Sequence, residues 1–253
     1  MLAFFKQFPE ISAVLSEKKD ESMKVFLERP EENRENREKF FLRQGIDAGR
    51  VVSAEIVHGT KVEIITFQKY TDKRRPSLIG ISSFGVVRQV IPGTDALVTK
   101  EKNVFLSITV ADCLPIFFYD PVARVIGIAH AGWRGLVDGV MGKTFEAFVA
   151  CGVDKKNLFV SLGPSIQKCH FEIGMDILPR FEDFEKYINR RDGRIFVDLP
   201  GIAKEQLQGL GVSEDHIEIS TACTFCESDI FFSYRRDKPQ KIEAMVAVIG
   251  LAS

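Results

Sequence analysis

The sequence predicts an α+β fold, in which mixed or paired β-sheets carry helices on their outer faces. β-rich runs come in clusters and do not alternate one by one with helical segments, which argues against a regular parallel sheet. No linker, internal repeat or low-complexity segment divides the chain. Its 253 residues lie at the upper end of the usual size of one domain, so we predict a single domain over residues 1–253.

The first third of the chain predicts one helix and two strands. A proline near the start, acidic residues in the first turn and a glycine after the last turn favour a helix over residues 30–44. β-rich runs follow over 50–57 and 61–65, and His58 lies in the turn between them. The largely polar residues 67–93 predict a long loop.

The rest of the chain predicts further strands and three more helices. Apolar residues recur at helical spacing from Val137 to Phe148, and Gly152 ends this stripe. The same spacing predicts helices over 177–188 and 200–210. Strands are predicted over residues 96–98, 105–110, 116–119, 125–129, 157–162, 217–220 and 245–251.

Cys113 and His130 flank one apolar stretch whose centre is the turn signal Asp120-Pro121. If the chain folds back about Pro121 and Val122, positions that sum to 243 face each other, and Cys113 opposes His130. Opposed residues of an antiparallel pair have Cβ atoms about 4.5–5.5 Å apart. Local geometry thus brings a thiol and an imidazole together, provided that this register is correct.

Two chemistries suit this pair. Cys113 and His130 could bind zinc with His58 as the natural third ligand, leaving a fourth position for a water whose pKa zinc lowers to about 7. Alternatively, Cys113 is a thiolate nucleophile and His130 its base. A third interpretation also remains open: His130 is a core residue whose ring nitrogens are hydrogen-bonded and which has no catalytic or metal-binding role.

Several motifs occur in an order that carries a family resemblance. They are His58-Gly59, PGTDALVT at 92–99, ADCLPI at 111–116, AHAGWRG at 129–135, GPSI at 163–166 and FFSYRRD at 231–237. These motifs resemble those of the YfiH family, also called laccase-domain or polyphenol oxidase proteins and, later, purine nucleoside phosphorylases. The resemblance extends from the predicted helix at 30–45 to residue 251.

The resemblance implies an α/β/β/α layered sandwich and a zinc site formed by His58, Cys113 and His130. It implies phosphorolysis of adenosine, inosine and methylthioadenosine to the free base and (5-methylthio)ribose 1-phosphate. Adenosine deamination is implied as a second activity, for which we expect Asp112 to carry the proton. The implied fold is related to the catalytic domain of a glutamine-deamidating toxin that uses a Cys-His pair, so a Cys113/His130 thiol amidase is the alternative. A non-enzymatic, metal-dependent interaction module is the third hypothesis.

Substrate phosphate requires cations, and guanidinium groups match its geometry. Arg134, Arg235 and Arg236 are the candidates, since each lies in a family motif. For the last two, a surface ion-pair cluster with Asp237 is the competing interpretation. For Asp95 we favour hydrogen bonding behind the metal ligands over a direct role.

The chain departs from the family pattern at four places. Val110 replaces a threonine, and Ser16-Glu17-Lys18-Lys19 stands where the family has Arg-x-Gly-Gly. Ile56 replaces a glutamine, and Ile242-Glu243-Ala244 replaces Thr-Gly-Arg. If the missing arginines bind substrate, the resemblance does not determine the efficiency or the choice of nucleoside.

The remaining cysteines and histidines predict no second site. Cys223-x-x-Cys226 lacks both a second such pair and a thioredoxin-like context, so we interpret it as structural. Cys169 and His170 are sequence neighbours and are expected to point apart. Four histidines cannot supply a multicopper oxidase, although copper could occupy the zinc site because it outranks zinc in affinity.

The composition of the chain limits where the protein is expected to be located and what it is expected to bind. The net charge is −1 without a long basic tract, which argues against nucleic acid. No apolar run approaches the roughly 20 residues that span a bilayer, so no membrane association is expected. Five scattered cysteines and the lack of a signal-like N-terminus predict reduced thiols in the cytoplasm. The sequence does not indicate an oligomeric state.

Overall fold

Two mixed β-sheets face each other and carry helices on their outer sides. A computed structural model describes residues 3–25, 31–66, 89–238 and 240–252 of the chain. Within these residues one helix covers one sheet and three helices cover the other, so the layers are helix, sheet, sheet and helix. The predicted α+β sandwich is confirmed.

The elements of the described residues are numbered in chain order. The strands are β1 (Ile11–Leu15), β2 (Val51–Ala54), β3 (Val62–Ile65), β4 (Gln89–Ile91), β5 (Ala96–Thr99), β6 (Phe105–Val110), β7 (Leu114–Asp120), β8 (Val125–Ala131), β9 (Phe159–Leu162), β10 (Glu172–Ile173), β11 (Ile188–Arg191), β12 (Arg194–Val197), β13 (Ile217–Ile219) and β14 (Met245–Leu251). The α-helices are α1 (Arg34–Arg43), α2 (Trp133–Val137), α3 (Val140–Ala150), α4 (Leu199–Gly209) and α5 (Tyr234–Asp237).

Both large sheets mix parallel and antiparallel pairs. The five-stranded sheet has the order β1-β14-β6-β2-β4, and the six-stranded sheet has the order β13-β9-β7-β8-β5-β3. A small sheet of order β10-β12-β11 accompanies them. The hairpin β7-β8 lies in the middle of the six-stranded sheet, and the loops at one end of these strands carry the candidate site.

The central hairpin is buried on both faces, which explains its continuous apolar sequence. Phe117 and Ile128 oppose each other and pack in the core between the two sheets. Their neighbours Phe118 and Ala129 point to the other face and pack against the core under α2, α3 and α4. On the far side of the five-stranded sheet, Phe40 and Phe41 of α1 complete a third core cluster.

Two predicted helices differ from those observed. The stripe from Val137 to Phe148 is divided between α2 and α3, because Gly139 takes a left-handed φ of 93° and ends the first helix. Residues 178–187 form 3-10 turns with non-helical dihedral angles inside, and Ile188 begins β11. Of the predicted loop 67–93, residues 67–88 lie outside the described residues, and the prediction was wrong for Gln89–Ile91, which form β4 beside β2.

The contact between Tyr119 and Glu10 provides a test of the core. The fully buried Tyr119 hydroxyl donates to Glu10 Oε1 at 2.6 Å, and this bond lowers the pKa of Glu10. We expect Tyr119→Phe to lower the free energy of unfolding by about 1 kcal/mol near neutral pH. The loss should shrink as the pH falls through the lowered pKa of Glu10, because protonation removes the charged acceptor. Urea unfolding at several pH values measures it.

Glu10→Gln is the matched background, since its amide oxygen still accepts the bond but does not titrate. There, the effect of Tyr119→Phe should not depend on pH over the acidic range. An identical pH profile for Tyr119→Phe in both backgrounds would contradict the assignment.

Candidate functional site

His58, Cys113 and His130 converge from three separate segments. Cys113 lies in the bend before β7, His130 near the end of β8, and His58 in the turn that follows β2. One sulfur and one ring nitrogen from each histidine lie within 4.8 Å of one another. The two imidazole rings are almost perpendicular, at 88°, with centroids 4.8 Å apart. The structure therefore brings together all three residues expected to bind metal.

The predicted register of the β7-β8 hairpin was wrong by two residues. Pro115 lies opposite His130, so facing positions sum to 245 and the turn is centred on Val122 and Ala123. The physical reason is the Asp120 side chain, which accepts hydrogen bonds from the backbone N–H groups of both turn residues. Cys113 lies just outside the ladder. Because side chains alternate with a period of two, this shift leaves Cys113 and His130 close together.

Asp95 connects two of the three residues. Its fully buried carboxylate accepts hydrogen bonds from the backbone N–H groups of His58 at 2.9 Å and Gly59 at 2.8 Å. The same carboxylate lies 3.0 Å from His130 Nδ1. This contact orients the ring and leaves Nε2 of His130 free to face the cluster, the arrangement common behind metal-binding histidines. Asp95 thus acts behind the ligands, as the sequence favours.

Glycines let the backbone approach the cluster closely. A Cβ on Gly132 would lie 2.9 Å from His58 Cδ2 and 3.1 Å from Cys113 Sγ, so any side chain here would crowd the donors. A Cβ on Gly135 would lie 2.7 Å from the carbonyl oxygen of Gly59. The AHAGWRG motif therefore packs the start of α2 directly against the His58 turn.

The cluster forms a charged pair when no metal is bound. Burial alone would raise the pKa of Cys113, but the charge and hydrogen bond of His130, with those of His58, lower it to about 6. Burial would lower the pKa of His130, but Cys113 and Asp95 raise it to about 9. At neutral pH the metal-free pair is a thiolate and an imidazolium. A metal ion at this site must displace the proton of His130.

A cavity of about 430 Å³ opens above the cluster. His58, Cys113 and His130 line it together with aromatic and aliphatic side chains, among them Trp133, Phe171, Leu199 and Tyr234. Three protein donors at the wall of an open cavity leave room for a further ligand from solvent or substrate. This is the donor pattern of catalytic rather than structural zinc.

The arginines predicted to bind phosphate take two different positions. Arg134 and Arg235 line the cavity, with Arg134 stacked over Trp133 at 4.5 Å. Arg236 is not among the lining residues, and its guanidinium donates to Asp237 and to backbone carbonyl groups. The competing interpretation, an ion pair with Asp237, holds for Arg236. It does not hold for Arg235, whose Nη1 donates to the carbonyl oxygen of Glu172 at 2.7 Å.

Asp112 also lines the cavity, but protein groups occupy both its carboxylate oxygens. One accepts from Thr224 Oγ1 at 2.6 Å and the other from the backbone N–H of Arg235 at 2.7 Å. Asp112 takes a left-handed φ of 83°, which aims its side chain at these partners. The observed contacts hold Arg235 in place, and the proton-carrying role of Asp112 stays a prediction.

Sequence reasoning missed Lys24, which lines the cavity wall. Burial lowers the pKa of Lys24. No family motif includes Lys24, and the Arg-x-Gly-Gly motif expected shortly before it is absent from this chain. Ile56, Ile242 and Ala244 line the same cavity. All three lie where the chain departs from the family pattern, so this cavity is more apolar than that pattern implies.

A second group of donors corrects the sequence interpretation. Cys169 Sγ lies 3.2 Å from His170 Nδ1, so these neighbours do not point apart. Cys223 and Cys226 join them, and all four donor atoms lie within 4.8 Å of one another. The prediction failed because the two segments meet only through tertiary structure, which no local motif shows.

The fold and the site together define an α+β protein with a thiolate-imidazole cluster, suited to a metal ion, under a partly apolar cavity. A family model described as multi-copper polyphenol oxidoreductase laccase matches residues 16–252. The chain belongs to this family, which is the YfiH family named above.

Named relatives and a solved structure agree with this assignment. The chain is 34% identical over 208 residues to purine nucleoside phosphorylase YlmD of Geobacillus stearothermophilus, covering 79% of this chain and 72% of that protein. It is 30% identical over 215 residues to purine nucleoside phosphorylase YfiH of Escherichia coli, covering 83% and 77%. The crystal structure of YlmD from Geobacillus stearothermophilus superimposes with a TM-score of 0.82 at 27% identity, covering 98% of this chain and 94% of that chain.

The lowered pKa of Cys113 can be measured in metal-free protein. We expect its rate of alkylation by iodoacetamide to reach half of its plateau at about pH 6, because the thiolate is the reactive form. Peptide mass spectrometry after chelator treatment and timed alkylation gives the rate at each pH.

Cys151 is the internal control, since burial raises the pKa of its thiol and no imidazole stabilises the thiolate. The alkylation rate of Cys151 should still increase with pH where the rate of Cys113 is already constant. Adding zinc before the alkylating agent should protect Cys113 and not Cys151. If both cysteines follow one pH profile, the thiolate-imidazolium pair is absent.

Proposed function

We propose that this protein is a zinc-dependent purine nucleoside phosphorylase acting on adenosine, inosine and methylthioadenosine. The observation that carries the proposal is one cavity that combines the three-residue metal cluster with cationic side chains and aromatic walls. The phosphorylase names of the relatives support the reaction class.

The metal role rests on His58, Cys113 and His130. These residues would hold a zinc ion, which would supply a Lewis acid and could lower the pKa of a bound water to about 7. Asp95 fixes the His130 ring so that its other nitrogen faces His58 and Cys113. Copper fits the same donors, but a multicopper oxidase centre does not, because the whole sequence has four histidines and His216 stacks on Phe159 instead.

The anion role rests on Arg134, Arg235 and Lys24. The Arg235 guanidinium has five N–H donors, and one of them is committed to Glu172, so others can reach a phosphate. Its backbone N–H is fixed by Asp112, which limits where the side chain can lie. Lys24, from the N-terminal part of the chain, is the third basic side chain that lines the cavity. Together these cations offset the charge of a bound phosphate.

The base and sugar would lie against the apolar part of the cavity. Trp133, Phe171 and Tyr234 offer flat surfaces to a purine ring. Ile56 and Ile242 present methyl groups where the family pattern has polar side chains. Such a wall favours an apolar substituent on the sugar over a hydroxyl group, so we place methylthioadenosine first among the three substrates.

In phosphorolysis, a phosphate oxygen bonds to C1′ of the ribose while the bond from C1′ to N9 breaks. The electron pair of that bond leaves on the purine, which takes up a proton. Arg134 and Arg235 would hold the phosphate beside C1′, which converts an encounter of two molecules into a reaction within one complex. The aromatic side chains of the cavity would hold the base so that it leaves on the side of C1′ opposite to the attacking phosphate oxygen.

Adenosine deamination is the second proposed activity of the same cavity. It replaces the amino group at C6 by an oxygen from water and releases ammonia. Asp112 is the candidate proton carrier by its place in the motif, whereas its contacts favour a positioning role toward Arg235.

One observation favours a second candidate function, a thiol amidase. Asp95, His130 and Cys113 form a line in which the carboxylate holds the imidazole and the imidazole lowers the pKa of the thiol. This is the arrangement of a cysteine nucleophile with its base and orienting group. His58 has no necessary role in that reaction, so it separates the two functions.

A cytoplasmic location is proposed from the thiol chemistry. All five cysteines are free thiols, which suits a reducing compartment. Among the residues that the structure describes, no helix is long and apolar enough to cross a bilayer.

The proposal is tested by incubating the zinc-loaded protein with each nucleoside and inorganic phosphate. Chromatography should show free base and ribose 1-phosphate (or its methylthio form) in equal amounts, and no base without phosphate. Arg235→Gln should raise the KM for phosphate about tenfold, because it removes a charged donor worth about 1.4 kcal/mol. Arg180→Gln is the control, since Arg180 lies on the surface and pairs with Asp138.

His58→Gln distinguishes the two candidate functions. Phosphorolysis that requires the metal should be lost in this variant and in chelator-treated protein. Free ribose without phosphate dependence would indicate a hydrolase instead. Glutaminase activity that survives both treatments but is lost in Cys113→Ser would establish the thiol amidase and overturn the phosphorylase.

A further inference from the structure

Four donors from two distant segments form a compact group outside the cavity cluster. Cys169 and His170 lie in the loop between β9 and β10, and Cys223 and Cys226 lie in the loop after β13. Cys169 Sγ is 3.6 Å from Cys223 Sγ and 3.7 Å from Cys226 Sγ. His170 Nδ1 is 3.2 Å from Cys169 Sγ and 3.2 Å from Cys226 Sγ.

These four distances lie within about 0.3 Å of the edges of a tetrahedral zinc site. Zinc bonds of about 2.3 Å to sulfur and 2.0–2.1 Å to nitrogen give tetrahedron edges of about 3.8 Å between sulfurs and about 3.5 Å between sulfur and nitrogen. A disulfide requires about 2.05 Å between sulfurs, and the cysteines of this group are free thiols. The spacing of Cys223 and Cys226, with two residues between them, is also that of zinc-binding loops.

We propose that Cys169, His170, Cys223 and Cys226 form a second metal site that binds zinc. Four protein donors complete the tetrahedron and leave no position for water or substrate, so the site is structural. This proposal is independent of the reaction assigned to the cavity cluster.

The surroundings of the four residues fit this role. The His170 ring stacks on Phe225 with centroids 4.0 Å apart, which fixes its orientation. Glu227 accepts a hydrogen bond from the backbone N–H of Cys223, and Arg191 donates to the carbonyl oxygen of Cys169. Cys226 is exposed, so an ion can enter from solvent.

The site would clamp two loops that build one wall of the cavity. Residues next to the donors reach the cavity directly: Phe171 lines it, and Thr224 holds Asp112. Glu172, two residues after His170, accepts from the Arg235 side chain. Asp112, which Thr224 holds, accepts from the Arg235 backbone N–H. Loss of the second ion should therefore loosen Arg235 without removing any donor of the first site.

The test counts zinc in the full chain, purified without an affinity tag. Elemental analysis after dialysis should give two zinc ions per wild-type chain. His58→Gln/Cys113→Ser and Cys223→Ser/Cys226→Ser should each retain one. Cys151→Ser is the matched control, because Cys151 belongs to neither group, and it should retain two.

Cobalt substitution identifies the donors independently of the serine variants. Cobalt bound to His58→Gln/Cys113→Ser should show the visible bands of a tetrahedral ion. Its sulfur-to-cobalt charge-transfer absorption should be about three times that of cobalt bound to the cavity cluster, because three thiolates bind it instead of one. Adding Cys226→Ser to this background should reduce the charge-transfer absorption by about a third, because two thiolates remain. Cys226 is exposed, so this variant serves even where Cys223→Ser/Cys226→Ser fails to fold.

Two results would overturn the proposal. One is a wild-type chain with a single zinc ion that His58→Gln/Cys113→Ser removes completely. The other is a mass two hydrogens lower than expected, mapped to a disulfide within the group in protein purified anaerobically.

Discussion

One buried carboxylate, that of Asp95, holds the candidate metal centre together. It accepts from the backbone of the His58 turn and from the ring of His130, and it is fully buried. A buried carboxylate without partners is costly, so the folded state requires these bonds to be made. The same bonds that keep Asp95 stable therefore place two of the three donors and set the tautomer of one.

The sheet explains why Asp95 lies there. It directly precedes β5, which pairs with β8 so that Ala96 faces Ala129. The backbone N–H of His130 then donates to the carbonyl oxygen of Asp95 at 2.7 Å. Packing of β7 and β8 on both faces fixes this register, because a slip of one residue would move every side chain into the opposite core cluster. His130 is thus positioned by a strand packed in the core, and Asp95 ties the His58 turn to that strand.

The sequence was sufficient for most strands and for the three cavity donors, and the reasons for its failures are physical. The two-residue register error was harmless because strand side chains alternate. The apolar spacing around Phe181 correctly predicted that this side chain is buried. It wrongly predicted an α-helix, because successive 3-10 turns can bury residues at the same spacing. The second donor group depends on Cys169 and Cys223, 54 positions apart, which parallel pairing of β9 and β13 brings near each other. No local pattern contains that information.

The affinity of the cavity cluster for zinc in Asp95→Asn is the most direct test of this account. It is best measured by chelator competition in the Cys223→Ser/Cys226→Ser background, where only the cavity cluster binds. Loss of the charged acceptor behind His130 should weaken zinc binding about 10–100-fold while the circular dichroism spectrum stays unchanged. An affinity equal to that of the parent would show that His58 and His130 are positioned without Asp95, and would contradict the account.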